Sequence, residues 1–347
     1  MLSQARVTDS QDVLTSLLEA TREGVLVVDD DLSVFASNLA AERAFAKSEV
    51  QLTGQYVPDF INQAEIATAF QAACHEDKTA DIHLAYKSRV AREYDVHIAP
   101  IELGGRRRAI GFFYDVTQVQ RLETIRQEFL SNISHELRTP LTSILAFVET
   151  LENGALEDPN NNRHFLNVIR RNGERMRNLI ADILELSQIE SGNIALNRKS
   201  VRLAPLVNDI LTSLSSMAAT REVILTNEVA ASSVVHADEG RLEQMLTNLV
   251  DNAIRFNRRG GSVTVADRVT PGKHQIFVSD TGEGIVADQI HRIFERFYRV
   301  DRARSRDVGG TGLGLAIVKH LARLHGGEVA VESELSVGTR FAVDLPA

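Results

Sequence analysis

The sequence has little that would place the protein outside the cell or across a membrane. Cys74 is its only cysteine, so an internal disulfide is impossible and a reducing compartment is predicted. The longest aliphatic run near the start, Val25 to Val28, falls far short of the roughly 20 residues that span a bilayer. Polar residues between Met1 and Ser10 interrupt the apolar core that a signal peptide requires. We therefore predict a cytoplasmic protein, joined to a membrane only if the natural protein has an upstream segment that is missing here.

A basic surplus is also missing. The 38 Lys and Arg residues are outnumbered by 47 Asp and Glu residues, which gives a formal net charge of −9. Nucleic-acid-binding proteins normally carry a basic face, and anionic membrane surfaces attract basic segments. Neither partner is therefore expected. A length of 347 residues predicts two or three domains, and a hydrophobic fraction of 44% is ordinary for globular protein.

What the sequence does contain is a long helical stretch around one histidine. Phe129 to Thr142 includes His135, with Glu136 beside it and Thr139 one turn later. Apolar residues recur at alternating three- and four-residue steps, a spacing that drives helices to pair. They are Ile133, Leu137, Ile144, Val148 and Leu151. His135 lies off this seam, so its imidazole is predicted to reach solvent or a substrate. Pro140 cannot donate to the carbonyl of Glu136 and is predicted to weaken the helix just past the histidine.

A second helical stretch completes a hairpin. The first helix is predicted from Gln118 to Asn153, about 50 Å at the usual rise per residue, and Gly154 ends it. Asp158-Pro159 is a favourable helix start, and the second helix is predicted to end at Gly192. Its apolar positions are Phe165, Ile169, Met176, Leu179, Ile183, Leu186 and Ile189. Two such helices cannot bury both of their apolar faces alone, so a four-helix bundle formed by a homodimer is predicted.

The N-terminal part reads as a small domain of strands and helices, preceded by a helix from Asp9 to Arg22. The predicted strands are Val25 to Val28, Ser33 to Ala36, Ala80 to Tyr86, Tyr94 to Ile101 and Ala109 to Val116. The predicted helices are Leu39 to Phe45 and Ala64 to Ala73. This order, with the phrases GVLVVDDDLSVFASNLAAERAF and GFFYDVTQVQ, resembles a PAS sensor domain.

The resemblance to PAS domains leaves the ligand open, because such a pocket holds haem, a flavin, a metabolite or nothing. Cys74 and His75 together would suit a flavin adduct or a metal, but the surrounding flavin motif is lacking. Cys74 is therefore interpreted as an inert packing residue, and His75, His83 and His97 as surface or strand residues.

The remainder of the chain alternates helix and strand, which predicts one mixed sheet covered by helices on one side. The predicted helices are Ala204 to Ala219, Glu239 to Phe256 and Gly312 to His325. The predicted strands are Val223 to Thr226, Val234 to Ala237, Val263 to Arg268, Gln275 to Ser279, Glu328 to Glu332 and Thr339 to Asp344.

Two polar clusters in this last part indicate a nucleotide site. On one helix, Asn248, Asn252 and Arg255 share a face, where amide oxygens suit Mg²⁺ and a guanidinium suits a phosphate. Alone, the cluster could equally be a solvated helix face. Asp280 to Gly284 follows a buried strand, and its carboxylate could accept the exocyclic amine of adenine while the glycines let backbone approach the base. Alone, this run could simply be a turn.

Two further clusters strengthen the nucleotide interpretation. Ile293 to Arg299 offers aromatic walls together with Arg299, which could reach a phosphate. Gly309 to Gly314 is a glycine-rich turn that opens a helix, a common arrangement for binding phosphate through backbone amides. The charged segment between them, VDRARSRDV, has few apolar anchors and is predicted to be a mobile lid.

In this order and at these spacings, the clusters resemble the ATP-binding domain of sensor histidine kinases, a fold shared with gyrase, Hsp90 and the MutL family. The phrase FLSNISHELRTPLT resembles the phosphoacceptor box of the commonest class of these kinases, those similar to the phosphate-regulon sensors. The resemblance implies a multidomain α+β protein. Its expected parts are an N-terminal helix (1–22), a PAS-like α/β domain (23–117), a dimerising phosphotransfer hairpin (118–192) and an α/β-sandwich, Bergerat-type ATP-binding domain (193–347).

The family resemblance also implies roles for individual residues. His135 would be the phosphoacceptor, with Glu136 taking its ring proton and Thr139 placing a water for phosphatase chemistry. Asn252 would hold Mg²⁺ and Asp280 would read adenine. The full set expected to contact ATP is Asn248, Asn252, Arg255, Phe256, Asp280, Gly282, Gly284, Tyr298, Arg299, Gly310, Thr311, Gly312, Leu313 and Gly314.

The implied function is ATP- and Mg²⁺-dependent autophosphorylation, followed by transfer to an aspartate in the receiver domain of a response regulator. Signal transmission would run from the PAS domain through the helix that begins at Gln118. Two rivals stay open: a silent or phosphatase-only dimeric scaffold, and an ATP-hydrolysing clamp of the gyrase and Hsp90 type. Whether phosphorylation occurs within or between protomers is also open.

Overall fold

The structure, a computed structural model, describes residues 20–46, 51–87, 91–158, 161–191, 195–300 and 310–346. It divides into two compact units, Met1–Glu128 and Phe129–Ala347. The predicted N-terminal helix falls mostly, and the predicted lid almost wholly, outside the described residues. Among the helices that are described, none combines the length and apolar character needed to cross a membrane.

The N-terminal unit contains a five-stranded antiparallel sheet in the order β2-β1-β5-β4-β3. Its strands are β1 Gly24–Val28, β2 Val34–Ser37, β3 Ala80–Tyr86, β4 Arg92–Leu103 and β5 Arg106–Asp115. Three helices lie between β2 and β3, namely α1 Leu39–Phe45, α2 Val57–Phe60 and α3 Ala64–Glu76. All five predicted strands and both predicted helices are present. No sequence pattern predicts α2, because four residues are too few to show helical periodicity.

Aromatic side chains fill the space between this sheet and its helices. The ring of Phe45 lies 5.0 Å from that of Phe113 and 5.1 Å from that of Tyr86. Gly111 on β5 is required by close packing, since a Cβ there would lie 2.7 Å from the ring of Phe70. Cys74 is buried in the same core, and burial raises the pKa of its thiol. Cys74 therefore packs as an un-ionised side chain, as predicted.

The predicted positions of the histidines in this unit are also observed. His75 is exposed at the end of α3, while His83 and His97 lie on β3 and β4. The two strand histidines pair with carboxylates across the sheet: His83 Nδ1 lies 2.9 Å from Asp95 Oδ1 and His97 Nδ1 lies 2.7 Å from Asp81 Oδ1.

Strand β5 leads directly into the long helix α4, Thr117–Glu152. Asp115 Oδ1 accepts hydrogen bonds from the Thr117 amide at 3.0 Å and from its hydroxyl at 2.5 Å. The Thr117 hydroxyl oxygen in turn accepts from the Glu93 amide on β4 at 3.0 Å. The first turn of α4 is thereby fixed to two strands of the sheet. Helix α4 continues through Pro140 without interruption, so the predicted weakening does not end the helix.

The hairpin is completed by α5, Asn162–Glu190, after a short 3-10 helix at Ala155–Glu157. Helix α5 begins after Asn161 and not at the predicted Asp158, while the predicted Pro159 lies outside the described residues. The predicted end at Gly192 lies outside the described residues. The two helices contact each other through the rings of Phe147 and Phe165 at 5.5 Å and through an ion pair described below.

The last part of the chain forms a five-stranded sheet in the order β11-β12-β10-β9-β7, in which only the β7–β9 pair is parallel. Its strands are β7 Ile224–Asn227, β9 Ser262–Thr270, β10 Lys273–Asp280, β11 Glu328–Glu334 and β12 Gly338–Pro346. The helices packed against it are α6 Leu203–Thr220, α7 Glu239–Arg255 and α8 Gly314–Leu324.

The prediction of one sheet is wrong in one respect. Strand β8, Val234–Ala237, pairs instead with β6, Lys199–Arg202, in a separate two-stranded sheet. No sequence pattern predicts β6, because three of its four residues are polar and only Val201 is buried.

The apolar core of the sheet and its helices continues into the hairpin. Leu179, Leu186 and Ile189 on α5 belong to the same buried cluster as the residues of α6, α7 and β10. From α4, Phe129 packs against this cluster, and its ring lies 5.7 Å from that of Phe297. The predicted seam of the hairpin is therefore used in part to seat the last domain.

Candidate functional site

The imidazole of His135 stands exposed on α4, as its position off the apolar seam predicts. One turn later, the Thr139 hydroxyl donates to the His135 backbone carbonyl at 3.2 Å. The Glu136 carboxylate accepts from Arg175 Nη2 on α5 at 2.8 Å. Since neighbouring residues on a helix do not face each other, Glu136 points to the partner helix rather than to His135. The structure thus brings Thr139, but not the Glu136 carboxylate, to the predicted place beside the histidine.

The helix α7 begins at a well-formed cap and presents the first polar cluster. Asp238 accepts from the Arg241 amide at 3.1 Å, which satisfies one of the free amides of the first turn. Asn248 and Asn252 lie half-buried on one face of the helix. Arg255 Nε donates to Asp251 Oδ2 at 2.6 Å, an (i, i+4) pair. All three residues of this cluster thus lie on one helix, and Arg255 has an acidic partner that the prediction did not include.

Asp280 ends β10 with its carboxylate held by the backbone. Asp280 Oδ1 accepts from the Gly282 amide at 2.8 Å and from the Thr339 amide at 3.3 Å. Burial raises the pKa of Asp280 to about 6, although both amide donors act to lower it. An acidic group kept this far from water is unusual on a surface and is typical of a binding site. The part of Thr339 in this site could not be predicted from the motif, because Thr339 lies 59 positions further along the chain.

The glycines after Asp280 are required by close backbone packing. The carbonyl of Phe256, at the end of α7, accepts from the Glu283 amide at 3.1 Å. A Cβ on Gly282 would collide with that same carbonyl. Gly284 has a φ of +72°, and a Cβ there would lie 2.9 Å from Leu335 Cα. The loop therefore closes against the end of α7, which brings the first two predicted clusters together.

The glycine-rich turn joins the remaining clusters. Gly312 has a φ of +74°, its carbonyl accepts from the Phe297 amide at 2.9 Å, and a Cβ there would lie 2.9 Å from Phe297 Cα. A Cβ on Gly310 would approach Arg299 Nη2 to 3.9 Å, and one on Gly314 would approach Asn248 Cγ to 3.7 Å. Half-buried Tyr298 has the guanidinium carbon of Arg292 4.4 Å above its ring. All four clusters therefore meet at one place, with Leu313 buried beneath them.

A divalent cation at this place would have few protein ligands. Among the described residues, no group of three or more histidine, cysteine or acidic side chains is arranged to hold a metal. The half-buried Asn252 and Asn248 offer neutral amide oxygens instead. Such a donor set fits Mg²⁺, which keeps several waters and commonly binds through one or two side chains plus substrate phosphates.

Contacts from the hairpin to this site were absent from the sequence analysis. Thr311 donates to Asp182 on α5 at 2.7 Å, across a separation of 129 residues. Nearby, Glu185 forms an ion pair with Arg241 at 2.5 Å and also accepts from Gln244. No local sequence signal could have found these pairs, because they depend on how the last domain seats on the hairpin.

Three family models match successive parts of the chain. A model of the PAS fold matches residues 18–121, and a model of the His Kinase A phospho-acceptor domain matches residues 125–192. A model described as histidine kinase-, DNA gyrase B- and HSP90-like ATPase matches residues 237–347.

Curated relatives are sensor proteins. The chain is 29% identical over 345 residues to sensor protein SrrB of Staphylococcus aureus strain N315. The aligned region covers 98% of this chain and 57% of that protein. It is 35% identical over 239 residues to sensor histidine kinase WalK of Bacillus subtilis strain 168. This aligned region covers 68% of this chain and 39% of that protein. The chain thus spans about half the length of the curated relatives that it matches.

Solved structures show the same fold. The histidine kinase ThkA, in a crystal structure with the response regulator protein TrrA, aligns with a TM-score of 0.53 at 22% identity and covers 95% of this chain and 97% of that chain. The Acinetobacter baumannii histidine kinase AdeS aligns with a TM-score of 0.52 at 23% identity and covers 61% of this chain and 97% of that chain. The matched family models and the curated relatives show that the chain belongs to the PAS-containing class I sensor histidine kinases.

Proposed function

We propose that this protein phosphorylates itself on His135 with ATP and then passes the phosphoryl group to an aspartate of a response regulator. One observation carries the proposal: the four clusters predicted to bind a nucleotide meet in the last domain. That domain packs against the helical hairpin, which carries the exposed His135. A clamp of the gyrase and Hsp90 type would have no use for that histidine. A silent scaffold would have no use for a half-buried, backbone-held Asp280 whose pKa is raised to about 6.

We assign the nucleotide contacts as follows. The Asp280 carboxylate accepts the adenine amine, while Gly282 and Gly284 let the backbone come close to the base. The turn from Gly310 to Gly314 offers backbone amides to phosphate oxygens at the start of α8. Around these lie the other residues assigned to the site, namely Asn248, Asn252, Arg255, Phe256, Tyr298, Arg299, Thr311, Gly312 and Leu313. When bound, Mg²⁺-ATP supplies the transferable γ-phosphoryl group and the metal's positive charge, with Asn252 as the protein ligand.

His135 acts as the nucleophile in its neutral form, in which one ring nitrogen carries no proton. That nitrogen forms the N–P bond as the bond between the γ-phosphorus and the bridging oxygen breaks, and ADP leaves. The other ring nitrogen then loses its proton. We assign Glu136 as the acceptor of that proton, which requires its carboxylate to leave Arg175, 2.8 Å away. Thr139 is assigned to place a water that hydrolyses the phosphorylated regulator.

A homodimer is part of the proposal. Apolar side chains remain exposed along both hairpin helices, and the predicted seam is itself only partly buried in the single chain. These exposed residues are Val119, Leu122, Ile125, Leu130, Leu141, Leu145, Leu166, Ile180 and Leu184. A second hairpin against this face would complete a four-helix bundle and remove them from water. The partner regulator is supported by the complex of ThkA with TrrA. Any PAS ligand stays open among haem, a flavin, a metabolite and none.

The test is His135→Gln in the full chain, with ATP that carries a radiolabel in the γ position. We expect complete loss of base-stable, acid-labile label while the affinity for nucleotide stays within about twofold of the wild type. His164→Gln is the matched control, since His164 is an exposed histidine on the other hairpin helix. Acid-labile label on His135→Gln would contradict the assignment. ATP turnover by the wild type without any phosphoprotein would favour the clamp-type ATPase instead.

A further inference from the structure

An acidic side chain of the hairpin contacts the glycine-rich turn. Asp182 Oδ2 on α5 accepts from the Thr311 hydroxyl at 2.7 Å, and the carboxyl is half-buried. Burial raises the pKa of Asp182, and the charge of nearby Glu185 raises it further. Glu185 forms an ion pair with Arg241, but within the described residues no cation pairs with Asp182. Asp182 is therefore a negative charge whose partner is a neutral hydroxyl.

The same hydroxyl is bound into the turn that we assign to phosphate. Its oxygen accepts from the Leu313 amide at 3.3 Å, immediately before α8 begins at Gly314. Thr311 belongs to this turn. The turn has little freedom to move, because Gly312 is fixed against the backbone of Phe297. Thr311 thus takes an amide that would otherwise be available to a phosphate oxygen. One side chain links that amide to the hairpin carboxylate.

Phosphate groups at this turn would bring negative charge close to Asp182. The amides at the start of α8 favour the binding of an anion. The negative charge of the Asp182 carboxylate, separated from those amides by the Thr311 side chain, disfavours it. We propose that Asp182 is a hairpin-borne positioning residue that competes with the phosphate groups of the nucleotide for the turn from Gly310 to Gly314. This inference rests on the proposed ATP site. By reciprocity, phosphate binding weakens the hold of the hairpin on Thr311 as much as Asp182 weakens phosphate binding.

The test is Asp182→Asn, which keeps the size and an acceptor oxygen but removes the charge. Binding of ATP and of adenosine to the full chain is measured by calorimetry or by displacement of a fluorescent nucleotide. We expect the affinity for ATP to rise about three- to tenfold, as for removal of a like charge at a partly screened distance. The affinity for adenosine, which has no phosphate, stays unchanged. The KM for ATP in autophosphorylation falls by the same factor.

Glu174→Gln is the matched control, because it removes a carboxylate from the same helix where the partner is Arg170 and not the turn. It should leave both affinities unchanged. Equal ATP affinity in Asp182→Asn and the wild type would overturn the inference, and so would an equal shift for adenosine, which would indicate a general loosening. A wild type that binds no ATP would instead refute the proposed function itself, so the two failures are distinguishable.

A second pair of variants tests the route through Thr311. In a Thr311→Ser background the hydroxyl is kept, so Asp182→Asn should again raise the ATP affinity. In a Thr311→Val background the hydroxyl is lost, and the effect of Asp182→Asn should shrink by at least half. An undiminished effect in the valine background would show that Asp182 does not act through this hydroxyl, and would contradict the positioning role.

Discussion

The two halves of the proposed reaction site are built differently. On the nucleotide side, Asp280 is held by two backbone amides and carries a pKa raised to about 6. The turn at Gly312 is equally constrained, with its backbone packed on Phe297. On the acceptor side, His135 stands in the open on a helix, and the only polar contact made by neighbouring Thr139 among the described residues is with the His135 backbone. One half is fixed and buried, and the other is exposed.

This difference fits two different tasks. Recognition of a nucleotide gains from groups that are already in place, because no reorganisation is then needed when the substrate binds. An acceptor that must meet the nucleotide domain first and a regulator afterwards gains from an open position. The comparison therefore predicts that substitutions on the nucleotide side have large effects, and that substitutions around His135, other than of the imidazole itself, have small ones.

Asp280→Asn should have the largest effect on nucleotide binding. The amide keeps the size of the side chain but loses a charged acceptor in a buried place, which costs about 1.5 to 3 kcal/mol. We expect the ATP affinity to fall about 10- to 100-fold, as measured by displacement of a fluorescent nucleotide. A change of less than twofold would remove Asp280 from the site.

Gly312→Ala should come next, because it adds two costs. A Cβ at positive φ costs about 1–2 kcal/mol, and at Gly312 it also meets Phe297 Cα at 2.9 Å. Gly272→Ala is the matched control, since Gly272 has a φ of +79° with nothing within 4 Å of the added atom. We expect both variants to lose stability in denaturant titrations, but only Gly312→Ala to lose ATP affinity, by about tenfold. Equal ATP affinity in the two variants would contradict a built phosphate turn.

The pH dependence of nucleotide binding should follow Asp280. Because its pKa is raised to about 6, the carboxylate is ionised and a full acceptor above roughly pH 7, and it is lost as an acceptor below about pH 6. ATP affinity should fall as the pH drops through that value. The stability of the empty protein has the opposite sign: the contribution of Asp280 is fully present below its ordinary value of 3.8 and is lost as the pH rises through about 6. Asp280→Asn should flatten both profiles.

Arg175→Gln should have the smallest effect. It breaks the half-exposed pair with Glu136, and such pairs contribute about 1 kcal/mol or less. We expect a fall of a few degrees at most in the melting temperature. If Glu136 takes the ring proton of His135 once it is released from Arg175, the autophosphorylation rate should rise up to about threefold. A lower rate would indicate that the Glu136–Arg175 pair is itself the functional arrangement.

Thr139→Ala offers a separate test on the acceptor side. Loss of the hydroxyl should lower dephosphorylation of the regulator more than autophosphorylation, since the water that we propose Thr139 to place would be used only in the former. The two rates are measured on the same preparation with the phosphorylated regulator supplied. A regulator that loses its phosphoryl group at the wild-type rate would contradict the role given to Thr139.

The sequence predicted the elements that carry a strong local pattern. The strands around Val25 and Phe113, the long helix that contains His135 and the polar face at Asn248 were all predicted because apolar spacing or residue type marks them. The short strand at Val201 was not predicted, because three of its four residues are polar and no apolar pattern marks it.

Contacts between distant segments account for the remaining differences. The Glu136–Arg175 pair depends on the register of two helices, and the Thr311–Asp182 pair depends on the seating of a whole domain. Neither register nor seating follows from periodicity. The raised pKa of Asp280 is also a tertiary effect, since it results from burial by residues that the motif itself does not contain.

The shared apolar core has a consequence for how the protein melts. Leu179, Leu186 and Ile189 of the hairpin are buried among residues of the nucleotide domain. Separation of the two segments would therefore expose apolar side chains of both to water. Heating should accordingly unfold the nucleotide domain and the part of the hairpin that carries these three residues in one calorimetric transition. Cutting the chain between them would leave two fragments with adhesive faces, each more prone to aggregate than the intact protein.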